Sequence, residues 1–162
     1  MLLSHGDEKL EFRIEEKKYM ASINPYLNFE GNCEEVFNFY KTVIGGEFAT
    51  VMRFTDMPAE TPITESDANK ILHIALPIGD GSVLMGSDCM PGFGPPFNAG
   101  NNFTVSFSPD SEDDARRIFD GLAAGGTIPM PIGKSFWNSL FGILTDKFGI
   151  QWMVNYDYAR PA

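Results

Sequence analysis

Thiols and imidazoles are scarce in this 162-residue chain, which has two cysteines and two histidines. Cys33 and Cys89 lie far apart, with no CxxC spacing for zinc or redox chemistry, so two reduced thiols in a cytoplasm are the simplest reading. Positive charge is also short. Twelve Lys and Arg face 22 Asp and Glu, for a net charge of -10, and the longest basic clusters are the pairs Lys17-Lys18 and Arg116-Arg117. A nucleic-acid backbone would be repelled, which removes nucleic acid as an expected partner. No apolar run approaches the roughly 20 residues of a membrane-spanning helix. The start, "MLLSHGDEKLEFRIEEKKYM", lacks the apolar stretch and small-residue cleavage site of a signal peptide. The expectation is a cytoplasmic protein with no membrane partner.

The length suits one domain, or two small modules sharing a core, without disulfide or metal staples. Residues 1–19 differ in composition from the rest and form an N-terminal extension. In it Leu10, Phe12 and Ile14 alternate with Glu11, Arg13 and Glu15, the period-2 pattern of an extra edge strand. The other reading is a start-site artefact. Codons for "EEKK" would be purine-rich, as ribosome-binding sites are, so translation would begin at Met20, and intact mass from the native host distinguishes the two.

Residues 20–162 read as a single domain in which one order of elements occurs twice. In module one, residues 23–88, the strand "INPYLNF" leads through Asn32 to the helical run "CEEVFNFYKTVI". That run stops at Gly45-Gly46 before the strand "EFATVMRF". Asn32 with Glu35 has capping-box spacing, and the glycine pair permits a left-handed stop. In module two, residues 102–157, "NFTVSFS" leads through Ser111 to "EDDARRIFDGLAA", and Gly125-Gly126 precede "TIPMPI". Ser111 with Asp114 resembles the same cap, and Phe39 and Phe119 fall in register. Two more strands close each half, "KILHIALPIG" and "SVLMGSD", then "LFGILTD" and "IQWMVNY". The fold class is therefore α+β: two β-α-β-β-β modules forming a curved, mostly antiparallel sheet around a cleft, with helices on the outer face.

Within "ILHIALPI", Leu72, Ile74, Leu76 and Ile78 form an apolar row suited to lie beneath a helix, which sends His73 and Ala75 to the concave face. His73, the one histidine outside the extension, is then a candidate catalytic acid or base and ligand-binding residue, or a histidine satisfied by backbone or water. Asp88 could pair with it or anchor the following turn, the latter being the ordinary chemistry of Asp. Cys33 begins a helix, where the dipole would favour a thiolate, although small-residue packing is the simpler role. Residues 89–102, rich in Pro and Gly, carry Phe93 and Phe97 and read either as a segment closing over the cleft or as a connector between modules. Phe136, Trp137 and Phe141 read as cavity wall, core or dimer interface. "IGDGS" is a turn at Asp80-Gly81, too hairpin-like to cradle a phosphate, which argues against methyl transfer from S-adenosylmethionine.

"INPYLNFEGNCEEVFNFYKTVIGGE", "VLMGSD" and "SFWNSLFGILTDKFGIQWMVN", with the repeated order, resemble the PhnB-like branch of the vicinal oxygen chelate superfamily of glyoxalases, bleomycin-resistance proteins and dioxygenases. The likeness runs from Ile23 to about Tyr156. It implies a cleft between two modules and a homodimer. In metal-using relatives a divalent ion is held by His, Gln or Glu from the first and last strand of each module. Their pattern falls here near Pro25, near Met85, near Phe103 or Thr104, and at Met153. None is a good ligand for a hard or borderline divalent ion. The expectation is a small-molecule-binding protein of this superfamily without the usual metal or any cofactor, its ligand contacted by His73, Met85, Phe93, Phe97, Trp137 and Met153. The rival readings are a metal-dependent lyase, dioxygenase or resistance transferase, and a non-catalytic dimeric interaction protein.

Overall fold

The computed structural model describes residues 21–58, 60–79 and 81–159. The extension of residues 1–19 and Asp80 of the expected turn lie outside the described residues. Module one runs β1 (Tyr26–Phe29), α1 (Cys33–Ile44), β2 (Thr50–Arg53), β3 (Ile71–Ile78) and β4 (Ser82–Asp88). Module two runs β5 (Val105–Phe107), α2 (Glu112–Ala123), β6 (Thr127–Lys134), β7 (Ser139–Thr145) and β8 (Gln151–Asp157). The strands form two four-stranded sheets, ordered β1-β4-β3-β2 and β5-β8-β7-β6. In each, the first strand lies parallel to the last and the other pairs are antiparallel. The α+β class and the repeated order hold, with the expected curved sheet built as two sheets.

Each helix forms where apolar residues recur at three- and four-residue intervals. α1 buries Cys33, Val36, Phe37 and Tyr40, and α2 buries Ala115, Ile118, Phe119 and Leu122. Ser111 caps α2 as its spacing predicts, its Oγ accepting from the Asp114 backbone N–H at 3.1 Å. The α1 cap differs from expectation, because the Asn32 side chain makes no capping bond. Asp88 does this work instead. Phe29 and Asp88 are partners in the parallel β1–β4 ladder, which brings the carboxylate to the start of α1. Its Oδ1 accepts from Gly31 N at 2.9 Å and Cys33 N at 3.0 Å, and its Oδ2 from Ile71 N at 2.8 Å. Orphan N–H groups at a helix start need such an acceptor. Asp88 therefore neither anchors its own turn nor pairs with His73.

The row on β3 also needs correction. Ile71, Ile74 and Leu76 are buried and Leu72 is only half-buried. Met52 pairs with His73 but Arg53 with Ile71, so a bulge at Leu72 reverses the alternation there. His73 and Ala75 keep the expected face. The Phe39–Phe119 register does not carry into packing either. Phe119 is buried in the core, while Phe39 lies half-buried against the Phe148 ring, 5.6 Å between centroids.

One core joins the modules on their helix sides. Tyr40 of α1 packs edge-on against Trp152 of β8 at 5.2 Å and donates to Asp146 Oδ2 at 2.7 Å. Trp152 Nε1 donates to the same oxygen at 2.9 Å, and Asp146 Oδ1 accepts from Phe148 N and Ile150 N at 2.9 and 3.0 Å. The helices approach at Gly121, where a Cβ would lie 2.8 Å from Val43 Cγ1. With α1 against β3 and β4, and α2 against β6, β7 and β8, the opposite face of each sheet carries no helix among the described residues.

Candidate functional site

On the open face of the first sheet, ladder partners set the neighbours. Tyr26 stands beside Met85, Met85 beside Ala75, and Met52 opposite His73. Tyr26 Oη lies 3.3 Å from His73 Nδ1, and the rings stack at 5.7 Å with 24° between planes. The hydrogen bond holds one imidazole nitrogen and orients the ring. On the second sheet Met153 stands between Ser106 of β5 and Ile143 of β7. Trp137 sits in the β6–β7 hairpin, its ring 4.7 Å from Phe136 and 5.3 Å from Phe141. Phe136 is 97% exposed and Trp137 48%, and Phe141 is half-buried, so the core reading of these aromatics fails.

The parallel ladders set Tyr26 beside Met85 and Ser106 beside Met153, Tyr26 directly after Pro25 and Ser106 two residues after Thr104, near which the resemblance would seek a metal. The strands holding them begin later than the sequence pattern suggests. The resulting set is a phenol, a hydroxyl and two thioethers. Hard and borderline divalent ions prefer carboxylate oxygen and imidazole nitrogen, so such an ion does not fit these four positions.

Between the modules lies a cavity of about 690 Å³, walled by β1, Ser87 to Cys89, the loop of residues 93–100, Phe103 and residues 148–150. The loop is seated by a bridge between Met90 and Phe93 and by the Phe93 ring edge-on to buried Phe54 at 5.7 Å. Gly92 and Gly94, at φ +85° and +87°, allow the turns this requires. Phe93 and Phe97 both face the cavity. A second cavity of about 780 Å³ borders Gly45-Gly46 and Arg117. Its guanidinium is taken up by the Asp114 carboxylate and the Val43 carbonyl.

The structure thus brings Phe93 and Phe97 into one cavity with Tyr26, while His73, bonded to Tyr26, and Met85, the ladder partner of Tyr26, do not line it. Met153 and Trp137 lie on the other sheet and do not line that cavity. Sequence reasoning missed Tyr26, although its alternation with Leu27 and Phe29 assigns it to the open face. It also missed Phe148, which no local pattern marks. Cys33 is fully buried, and burial followed by the nearby Asp88 and Glu34 charges drives its thiol pKa far up, against the lowering expected of a helix start. Cys89 is shifted the same way by burial, Asp88 and Glu30.

Residues 21–155 match the family model described as 3-demethylubiquinone-9 3-methyltransferase. The chain is 32% identical over 147 residues to Protein YjdN of Escherichia coli strain K12, covering 86% of this chain and 97% of that protein. It is similar to the crystal structure of PA1353 from Pseudomonas aeruginosa, with 39% identity, TM-score 0.75, and coverage of 85% and 98%. It is also similar to a PhnB protein from Bacillus cereus, with 25% identity, TM-score 0.65, and coverage of 84% and 99%. Solved proteins of the glyoxalase and bleomycin-resistance group share the arrangement at lower identity, a likeness of fold alone. With its paired modules and a family match over most of its length, the chain belongs to the PhnB-like, 3-demethylubiquinone-9 3-methyltransferase family.

Proposed function

We propose that this protein binds a small molecule in the cavity beneath residues 93–100, without the divalent ion of its metal-using relatives, and works as a homodimer. The observation that carries the reading is the cavity itself. Tyr26, Phe93, Phe97, Phe103 and Phe148 converge on about 690 Å³, the size and character of a small-ligand site. The Tyr26 phenol, held at 3.3 Å from His73 Nδ1, adds a polar group to its wall. The metal-free reading rests on the phenol, hydroxyl and thioether donors of Tyr26, Ser106, Met85 and Met153. The dimer reading rests on apolar groups left in water. Phe136, Trp137 and Met130 on the second module, and Met52 on the first, are each at least 40% exposed, on or beside faces that no helix among the described residues covers.

Native mass spectrometry of protein purified without chelators tests all three parts. The expected spectrum is a dimer carrying a co-purified organic molecule that Phe97→Ala loses. A monomer would refute the assembly. A ligand retained in full by Phe97→Ala would refute the cavity. A stoichiometric divalent metal that disappears in His73→Ala would restore the metalloenzyme reading.

A further inference from the structure

Ionisable side chains are nearly missing from the aromatic cavity. Among its described lining residues they are Tyr26, Asp88 and Cys89, with no Lys, Arg or His. Asp88 is 4% exposed, and its two oxygens already accept three backbone N–H groups. The Cys89 thiol is held neutral by burial and by Asp88. The cavity therefore offers an anionic ligand no cation and a cationic ligand no uncommitted carboxylate. Taking an unpaired charge out of water costs several kcal/mol, whereas a cation over aromatic rings recovers only about 2 kcal/mol.

Polar capacity is nevertheless present. Asn28 and Ser87 are ladder partners on β1 and β4, both line the cavity, and neither side chain is hydrogen-bonded among the described residues. Asn28 supplies a carbonyl acceptor and an amide donor, and Ser87 a hydroxyl that does both. We infer, resting on the cavity being the ligand site, that its ligand class is an uncharged, flat aromatic molecule bearing one or two hydroxyl or carbonyl groups. The rings stack with Phe97, Phe103 and Phe148, and the polar group is read by Asn28 and Ser87.

Three probes with one ring system and different charge test this: 2-naphthol, 2-naphthoate and a naphthyl trimethylammonium salt, titrated calorimetrically at neutral pH. Naphthol should bind at least about tenfold more tightly than either ion. Asn28→Leu, on the exposed face of β1, should weaken naphthol about three- to tenfold. Phe97→Ala should weaken whatever binds. Near-UV circular dichroism of both variants verifies that they are folded. If either ion matches naphthol and is weakened by Phe97→Ala, the neutral-ligand inference is overturned and the cavity reading stands. An unchanged naphthol affinity in Asn28→Leu overturns the assigned polar contact. If none of the probes binds, or Phe97→Ala changes nothing, the cavity reading fails and this inference with it.

Discussion

Tyr40→Phe deletes one oxygen from the interior and isolates one buried, hydrogen-bonded tie between the modules. In the native protein that hydroxyl donates to Asp146 Oδ2 at 2.7 Å, in a site where both residues are buried. A hydrogen bond to a charged group is worth roughly 1.5–3 kcal/mol, and phenylalanine keeps the ring against Trp152, so no cavity larger than the missing oxygen is left. Asp146 retains the bonds from Trp152 Nε1, Phe148 N and Ile150 N, which keeps the loss from rising to that of an orphaned carboxylate. The expected cost is about 2 kcal/mol, a fall of roughly 4–8 °C in Tm for a chain of this size. Urea unfolding in a Trp137→Phe background, so that Trp152 alone reports, measures it alongside far-UV circular dichroism. A double-mutant cycle with Asp146→Ala should return a coupling energy of the same size. A loss below about 0.5 kcal/mol, or separate transitions for the two probes in the parent protein, would refute the claim that this tie holds one cooperative core.

Asp88→Ala should cost about 3 kcal/mol or more in the same urea assay, because Gly31, Cys33 and Ile71 each lose an acceptor, and a loss under about 1 kcal/mol would contradict the capping role. In iodoacetamide labelling followed by mass spectrometry, Cys89 should react slowly and Cys33 only as the protein unfolds; equal rates would contradict the packing. Glu34 is half-exposed and bonded to Arg53 at 2.6 and 2.9 Å, and Arg53 holds its carboxyl below the usual range. Its folded pKa is depressed, so its stabilisation is present above the unfolded pKa and lost as pH falls through the folded one. After screening, Glu34→Gln should cost no more than about 1 kcal/mol at neutral pH, and the gap should close in acid. A gap that widened in acid would refute the assignment.

How much of the fold the sequence revealed depended on how local each cause was. The bounds of α1 and β4 agree with the residues read as helix and strand, because an apolar stripe, a double glycine and a short alternating run are neighbours along the chain. Gly45 and Gly46 do adopt φ of +93° and +89° at the helix stop. Leu72 was misread because the bulge depends on how β2 pairs with β3, which no alternation within β3 records. Asn32 had the right spacing for a cap and lost to Asp88, which stands far along the chain and arrives through the parallel ladder.

The candidate site divides in the same way. Periodicity alone put His73 on the face away from the helix, whereas the expectation that metal-using relatives place ligands near Met85 and at Met153 came from the family resemblance. The repeat grammar likewise determined the two modules, their helices and their order. Only the tertiary structure decided that Tyr26 meets His73, that Phe93 and Phe97 wall the cavity reached by Phe148, and that Tyr40, Trp152 and Asp146 lock one module to the other. Alternation tells a side chain which face of its strand to take. Which residue it meets there is set by ladder register and by helices docking across the whole chain, and those are properties of the assembled sheets.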